Sequence, residues 1–200
     1  MINLAIFASG KGSNAENIIR HFQNDSDIKV KLVVSNNSNA YVHTRAKQLG
    51  VESVTFSKAS FDTCESVLAV LKQYHIDFIV LAGFMLKIPR LLIDAYPFKI
   101  VNIHPALLPK YGGKGMYGDH VHRAVVSAHE VESGITIHYL NENYDEGNII
   151  FQAKCTINPE DTYEDVAKKV HTLEYEYYPV VIEEVVRQTY GLREEKTKTS

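Results

Sequence analysis

Apolar residues follow two alternating patterns through the first half of the chain. Short, nearly continuous apolar runs at Ile2–Ala8, Ile28–Ser35, Val51–Phe56, Phe78–Leu81 and Lys99–Ile103 have the length of buried strands. Between them the apolar positions recur at helical spacing. Ala15, Ile18, Ile19 and Phe22 stand at i, i+3, i+4 and i+7, and Val67, Leu68, Leu71 and Tyr74 give Asp62–Tyr74 one apolar face. Ala40–Leu49 predicts another helix, closed by Gly50 at its C′ position. A short helix starts near Pro89, whose fixed φ suits a first turn. Strands alternating with helices imply right-handed crossovers. The expected fold is α/β: a Rossmann-like, mostly parallel twisted sheet with helices on both faces.

The pattern changes after residue 105. A glycine-rich loop, Lys110–Gly118, leads into a helix near His120–His129. Ile135–Leu140 and Ile149–Thr156 then read as a strand pair joined by the polar loop Asn141–Asn148. Thr162–Tyr190 has helical period, with an interruption expected at Tyr178-Pro179. Residues 1–190 are expected to form one domain, and 191–200 a charged, fraying tail.

The chain has 200 residues, 45% hydrophobic and 22% charged, with a net charge of −3. That is ordinary globular composition and argues against disorder. The mild acidity leaves no electrostatic footprint for nucleic acid or an anionic membrane. The most apolar stretch, Phe78–Leu86, is far short of the ~20 residues that span a bilayer, and the N-terminus lacks the basic region of a signal peptide. Cys64 and Cys155 are too far apart to form a zinc knuckle or a disulfide framework. A reducing cytoplasm is the expected setting.

Three groups of residues carry candidate chemistry. Ser9-Gly10-Lys11-Gly12-Ser13-Asn14 lies between the first strand and the first helix, where glycines let amide N–H groups and a helix N-terminus converge on an anion. The same string also serves as a plain tight turn with Ser13 or Asn14 as N-cap. With Ala15 it matches a dinucleotide fingerprint, yet the second strand ends in Ser35-Asn36-Asn37, without the acidic residue that grips a ribose. That favours a monophosphate over a nicotinamide cofactor. Second, Asn102 and His104 in Val101-Asn102-Ile103-His104-Pro105 share one strand face, and Pro105 ends the strand there. An amide donor beside an imidazole at the carboxyl edge of a sheet suits an oxyanion. Asp145, in the following loop, would favour the charged form of His104 if it came close. Thr136 and His138 share one face of the next strand, as buried supports. Third, His171 and Glu174 are neighbours on a helix and could grip hydroxyls or an amine. His120 and His122 are two apart on a helix, a spacing that turns the rings away from each other and disfavours a metal pair.

With Leu81-Ala82-Gly83-Phe84-Met85, and with Leu107-Leu108-Pro109-Lys110 following Asn102-Ile103-His104-Pro105, the chain resembles the phosphoribosylglycinamide formyltransferases, a branch of the folate-dependent formyltransferases. The resemblance runs from Ile2 to about Gln188. It implies the formyltransferase fold, with 10-formyltetrahydrofolate as cosubstrate, 5′-phosphoribosylglycinamide as substrate, a place in purine biosynthesis, and no metal. By position it gives Asn102, His104 and Asp145 the catalysis. Gly12, Ser13 and Asn14 would hold the phosphate, and His171 and Glu174 the ribose and glycinamide. Met85, Leu86, Lys87, Ile88, Asn141, Asn143 and Tyr144 would line the folate pocket. Many relatives carry arginine at the positions of Cys64 and Leu86, and the loop 111–118 is longer and richer in glycine than the family's short form. A formyltetrahydrofolate hydrolase and a non-enzymatic nucleotide-binding module are the competing readings.

Overall fold

A computed structural model of the chain describes residues 1–141, 145 and 147–192. Among the described residues, seven strands form one sheet: β1 (Ile2–Phe7), β2 (Ile28–Ser35), β3 (Glu52–Thr55), β4 (Phe78–Leu81), β5 (Ile100–His104), β6 (Glu132–Tyr139) and β7 (Ile149–Thr156). Their spatial order is β3-β2-β1-β4-β5-β6-β7. The first five are parallel, while β6 runs against β5 and β7 against β6. The strand runs are apolar on both faces because helices cover both. β4 is buried throughout, and Leu4, Ala5, Ile6 and Phe7 of β1 have no exposed surface. One layer contains α1 (Ser13–His21), α2 (Val42–Gln48), α6 (Asp119–Ser127) and α7 (Tyr163–Tyr190); the other contains α3 (Lys58–Thr63), α4 (Glu65–Gln73) and α5 (Arg90–Ala95). Among the described residues, no helix is long and apolar enough to cross a membrane.

The chain winds outward from β1 to β2 and β3, then returns to place β4 on the other side of β1. The crevice beyond the carboxyl ends of β1 and β4 is therefore the reversal point at which open α/β sheets bind ligands. Two hydrogen bonds fasten its lips, Ala82 N–H to Phe7 O at 2.8 Å and Ser9 N–H to Gly83 O at 3.0 Å.

Three local expectations are corrected. Asp62–Tyr74 is not one helix. Cys64 adopts φ 64, closing α3 through its N–H to Ser60 O and opening α4 through its carbonyl, which accepts from Leu68 N–H. The apolar spacing gives no hint of this, because Phe61, Cys64, Val67 and Leu71 enter the same core cluster on both sides of the break. α7 passes through Pro179 without interruption. The carbonyl that a proline leaves without its intrahelical donor, Tyr175 O, accepts from Asn17 Nδ2 at 2.8 Å instead. The cap of α1 is neither Ser13 nor Asn14 but Gly12, at φ 72 and without a side-chain bond. A β-carbon there would lie 2.6 Å from Val42 Cβ, so α2 packs directly onto the turn and only glycine fits.

α7 ties the layers together. The fully buried Tyr178 donates its hydroxyl to Leu81 O at 2.8 Å, and burial pushes that phenol well above its ordinary pKa. At the far end, Arg187 bridges to Asp25 at 2.6 Å and Glu183 at 2.8 Å.

Candidate active site

A cavity of about 510 Å³ opens at the reversal point. That volume fits a small organic ligand. Gly12, Ser13, Asn14, Met85, Leu86, Lys87, Ile88, Asn102, His104, Asn141, Asp145, His171 and Glu174 all line it. Asn14 and Glu174, 160 positions apart in sequence, thus share one chamber. Asn143 and Tyr144, also expected there, lie outside the described residues.

The chamber has two chemically distinct ends. At one, β5 ends in Asn102 and His104, which project from the same face as their spacing dictates. β6 pairs Asn102 with His138 and His104 with Thr136 across the antiparallel ladder. His138 Nδ1 lies 3.0 Å from Tyr139 O, which fixes its proton on Nδ1 and leaves Nε2 to accept from Asn102 Nδ2 at 3.1 Å. Burial lowers the His138 pKa, outweighing the pull of the Tyr139 carbonyl and of Asp145, so a neutral ring holds the amide. Among the described residues, no second partner takes the other N–H of Asn102. His104, 3% exposed, donates Nε2–H to Tyr111 O at 2.7 Å and turns Nδ1 towards Asp145 Oδ2 at 3.6 Å. Asp145 Oδ1 stands 3.7 Å from His138 Nε2. Thr136 braces the segment after His104, donating to Ala106 O at 2.7 Å and accepting from Leu108 N–H at 3.0 Å. At Gly147 any β-carbon would overlap the Tyr139 carbonyl, so the backbone approaches it this closely only as glycine.

The glycine-rich loop is bound into this arrangement. Its Tyr111 carbonyl holds His104, and its Gly113 N–H donates to Asp145 Oδ2 at 2.9 Å. A β-carbon at Gly112 would lie 2.6 Å from Leu108 Cδ2, so any larger residue there has to displace that methyl group.

At the other end, Gly12, Ser13 and Asn14, at the N-terminus of α1, line the cavity, where a helix leaves its first N–H groups without intrahelical partners. Asn14 Nδ2 donates to Glu174 Oε2 at 2.9 Å, and His171 Nδ1 lies 2.7 Å from the same oxygen. That hydrogen bond raises the His171 pKa, favouring its cation. Lys11 and His122 also line the cavity, although neither carries an assigned role in the sequence reading. Lys11 could have been noticed as the cation inside the glycine turn. His122 carries no such signal, because its depth depends on how α6 packs against α7.

The assembled geometry is a glycine turn at a helix N-terminus in one cavity with an amide–imidazole–carboxylate set. The formyl transferase family model matches residues 2–182. The chain belongs to the formyl transferase family. It is 37% identical over 198 residues to the chloroplastic phosphoribosylglycinamide formyltransferase of Arabidopsis thaliana, covering 96% of this chain and 68% of that one. It is 35% identical to the phosphoribosylglycinamide formyltransferase of Bacillus subtilis, over 93% of this chain and 95% of the relative. In fold it is similar to the crystal structure of glycinamide ribonucleotide transformylase 1 from Geobacillus kaustophilus, with a TM-score of 0.83 and 36% identity over 91% of this chain and 97% of that one.

The two positions at which the resemblance implies arginine, 64 and 86, part company. Leu86 lines the cavity with Lys87 beside it. Cys64 does not line it. The residue is fully buried between α3 and α4, where burial raises its thiol pKa, so position 64 offers the cavity no cation.

Proposed function

We propose that this formyltransferase moves the formyl group of 10-formyltetrahydrofolate to the amine of 5′-phosphoribosylglycinamide, a step of purine biosynthesis. One observation carries the reading: a single cavity joins a backbone phosphate cradle to a buried Asn102–His104–Asp145 set. The phosphate sits on the amides of the Gly12–Asn14 turn, with His171 and Glu174 beside the sugar and glycinamide. The folate lies along Met85–Ile88 and the segment from Asn141, which includes Asn143 and Tyr144. The substrate amine attacks the formyl carbon, and the carbonyl oxygen becomes an oxyanion. Asn102 offers its unused N–H to that oxygen. His104 transfers its Nε2–H from the Tyr111 carbonyl to the same site, with the Asp145 carboxylate balancing the imidazolium charge. Collapse breaks the bond to the folate nitrogen, which gains a proton as the attacking nitrogen loses one.

The test follows the absorbance of 10-formyltetrahydrofolate, with and without the ribonucleotide. Deformylation that requires 5′-phosphoribosylglycinamide is expected. Deformylation that proceeds equally well without it would make the protein a hydrolase, and none under either condition would leave a binding module.

A further inference from the structure

Tyr111 reaches His104 from outside the cavity. Its carbonyl meets His104 Nε2 at 2.7 Å, yet neither Tyr111 nor Glu130 lines the chamber. The direction of that carbonyl depends on a left-handed backbone at Tyr111, with φ 57. A bulky residue rarely keeps that conformation unless its surroundings hold it there. The Tyr111 side chain supplies the hold. It packs against the hydrophobic core and donates its hydroxyl to Glu130 Oε1 at 2.9 Å. Glu130 stands in the turn between α6 and β6, with its own N–H on Val125 O at 3.3 Å. Lys110 reaches the same carboxylate oxygen at 2.9 Å, but its side chain is 68% exposed and water screens the pair. The bonds from Lys110 and Tyr111 lower the Glu130 pKa, while burial and the Glu130 bond raise that of Tyr111. At neutral pH the carboxylate is therefore the acceptor and the phenol the donor.

A carbonyl only accepts hydrogen bonds, so the Tyr111 contact requires a proton on His104 Nε2. The other ring nitrogen, Nδ1, faces a second acceptor, Asp145 Oδ2, but at 3.6 Å, beyond hydrogen-bond reach. A neutral imidazole has one proton for these two acceptors, and the nearer one keeps it. We infer that Glu130, through the Tyr111 hydroxyl, is a positioning residue: it holds the Tyr111 carbonyl where that carbonyl fixes the His104 proton on Nε2. The inference rests on the role given to His104 above. Without the Glu130–Tyr111 bond, residue 111 leaves the left-handed region and its carbonyl turns away. The proton then passes to Nδ1, beside Asp145, and Nε2 has none to give.

The ¹⁵N signals of the His104 ring, in ligand-free protein at a pH where that ring is neutral, report the tautomer. In the wild type they should place the proton on Nε2. Tyr111→Phe and Glu130→Ala break the same bond from opposite sides, so either serves if the other does not fold. Each should move the signals towards the Nδ1–H form. Each should also lower kcat about tenfold or more, the scale of a displaced catalytic group. KM for both substrates should stay within about twofold, since neither residue lines the cavity. In the double variant the losses should not multiply, because only one bond is removed. Glu130→Gln keeps an acceptor for the phenol and should recover most of kcat. Unmoved ¹⁵N signals, or a loss that falls on KM in place of kcat, would overturn the inference. Signals that shift as expected, in an enzyme whose wild type transfers no formyl group, would uphold it and overturn the transfer reading instead.

Discussion

At the Asn102 end of the cavity, side chains are held to one another and to the backbone before any ligand arrives. His138 is fixed by the Tyr139 carbonyl, Asn102 by His138, and His104 by the Tyr111 carbonyl. At the Asn14 end, Glu174 gathers the Asn14 and His171 side chains, but among the described residues Asn14 Oδ1 and His122 Nδ1 have no partner. The first end is finished by the protein, which suits chemistry that depends on donors set in advance of the charge they stabilise. The second presents the N-terminus of α1 to the cavity, which suits recognition of an anion. Substitutions should therefore separate the two ends kinetically, the first in turnover and the second in affinity.

The largest effect is expected at the finished end. His104→Ala should lower kcat by roughly 10²–10⁴-fold, the usual range for a lost acid or oxyanion donor, with ribonucleotide affinity within a few fold of wild type. Stopped-flow turnover beside equilibrium titration measures both. Unchanged turnover would remove His104 from the chemistry. Next comes Gly12→Val. A side chain there meets Val42 and must hold φ near +72, so the turn has to shift. KM for the ribonucleotide should rise about tenfold or more as the phosphate amides move, and the folded state should lose about 1–3 kcal/mol to strain and overpacking. A normal KM in a variant that is destabilised would mean the turn is structural only.

The smallest effect is on stability against pH. Burial lowers the pKa of both His138 and His122, so they stay neutral in the folded protein at pH values where the unfolded chain, near 6.5, takes up protons. The unfolded state then binds more protons, and stability falls as pH drops through about 6.5, flattening once the folded values are passed. His171 has the opposite sign. Its raised pKa stabilises the folded state at low pH and loses that contribution as pH rises through the folded value, but the side chain is half exposed and solvent weakens the effect. Urea unfolding from pH 7.5 to 5 should show the decline, and His138→Asn should flatten it. An unaltered slope in that variant would exclude His138 as a source.

The sheet was legible because parallel strands covered on both faces must be apolar along their whole length, as Ile2–Phe7 and Phe78–Leu81 are. The Asn102–His104 pair was legible for an equally simple reason, since strand period puts both on one face and Pro105 stops the strand. Three features were not. The break at Cys64 preserves the apolar spacing, so periodicity cannot report it. Continuity through Pro179 is matched by Asn17, 158 residues before Tyr175, donating to the vacated Tyr175 carbonyl. The depth of His122 arises from α6 meeting α7, and nothing in His120-Val121-His122 distinguishes the buried ring from the exposed one.

Product analysis with ¹³C-formyl-labelled 10-formyltetrahydrofolate tests the central claim most directly. When the ribonucleotide is present, the formyl resonance should move to an amide on the glycinamide nitrogen, one label for each folate consumed. Label recovered as free formate, with the ribonucleotide unchanged, would contradict the assignment of this cavity to formyl transfer.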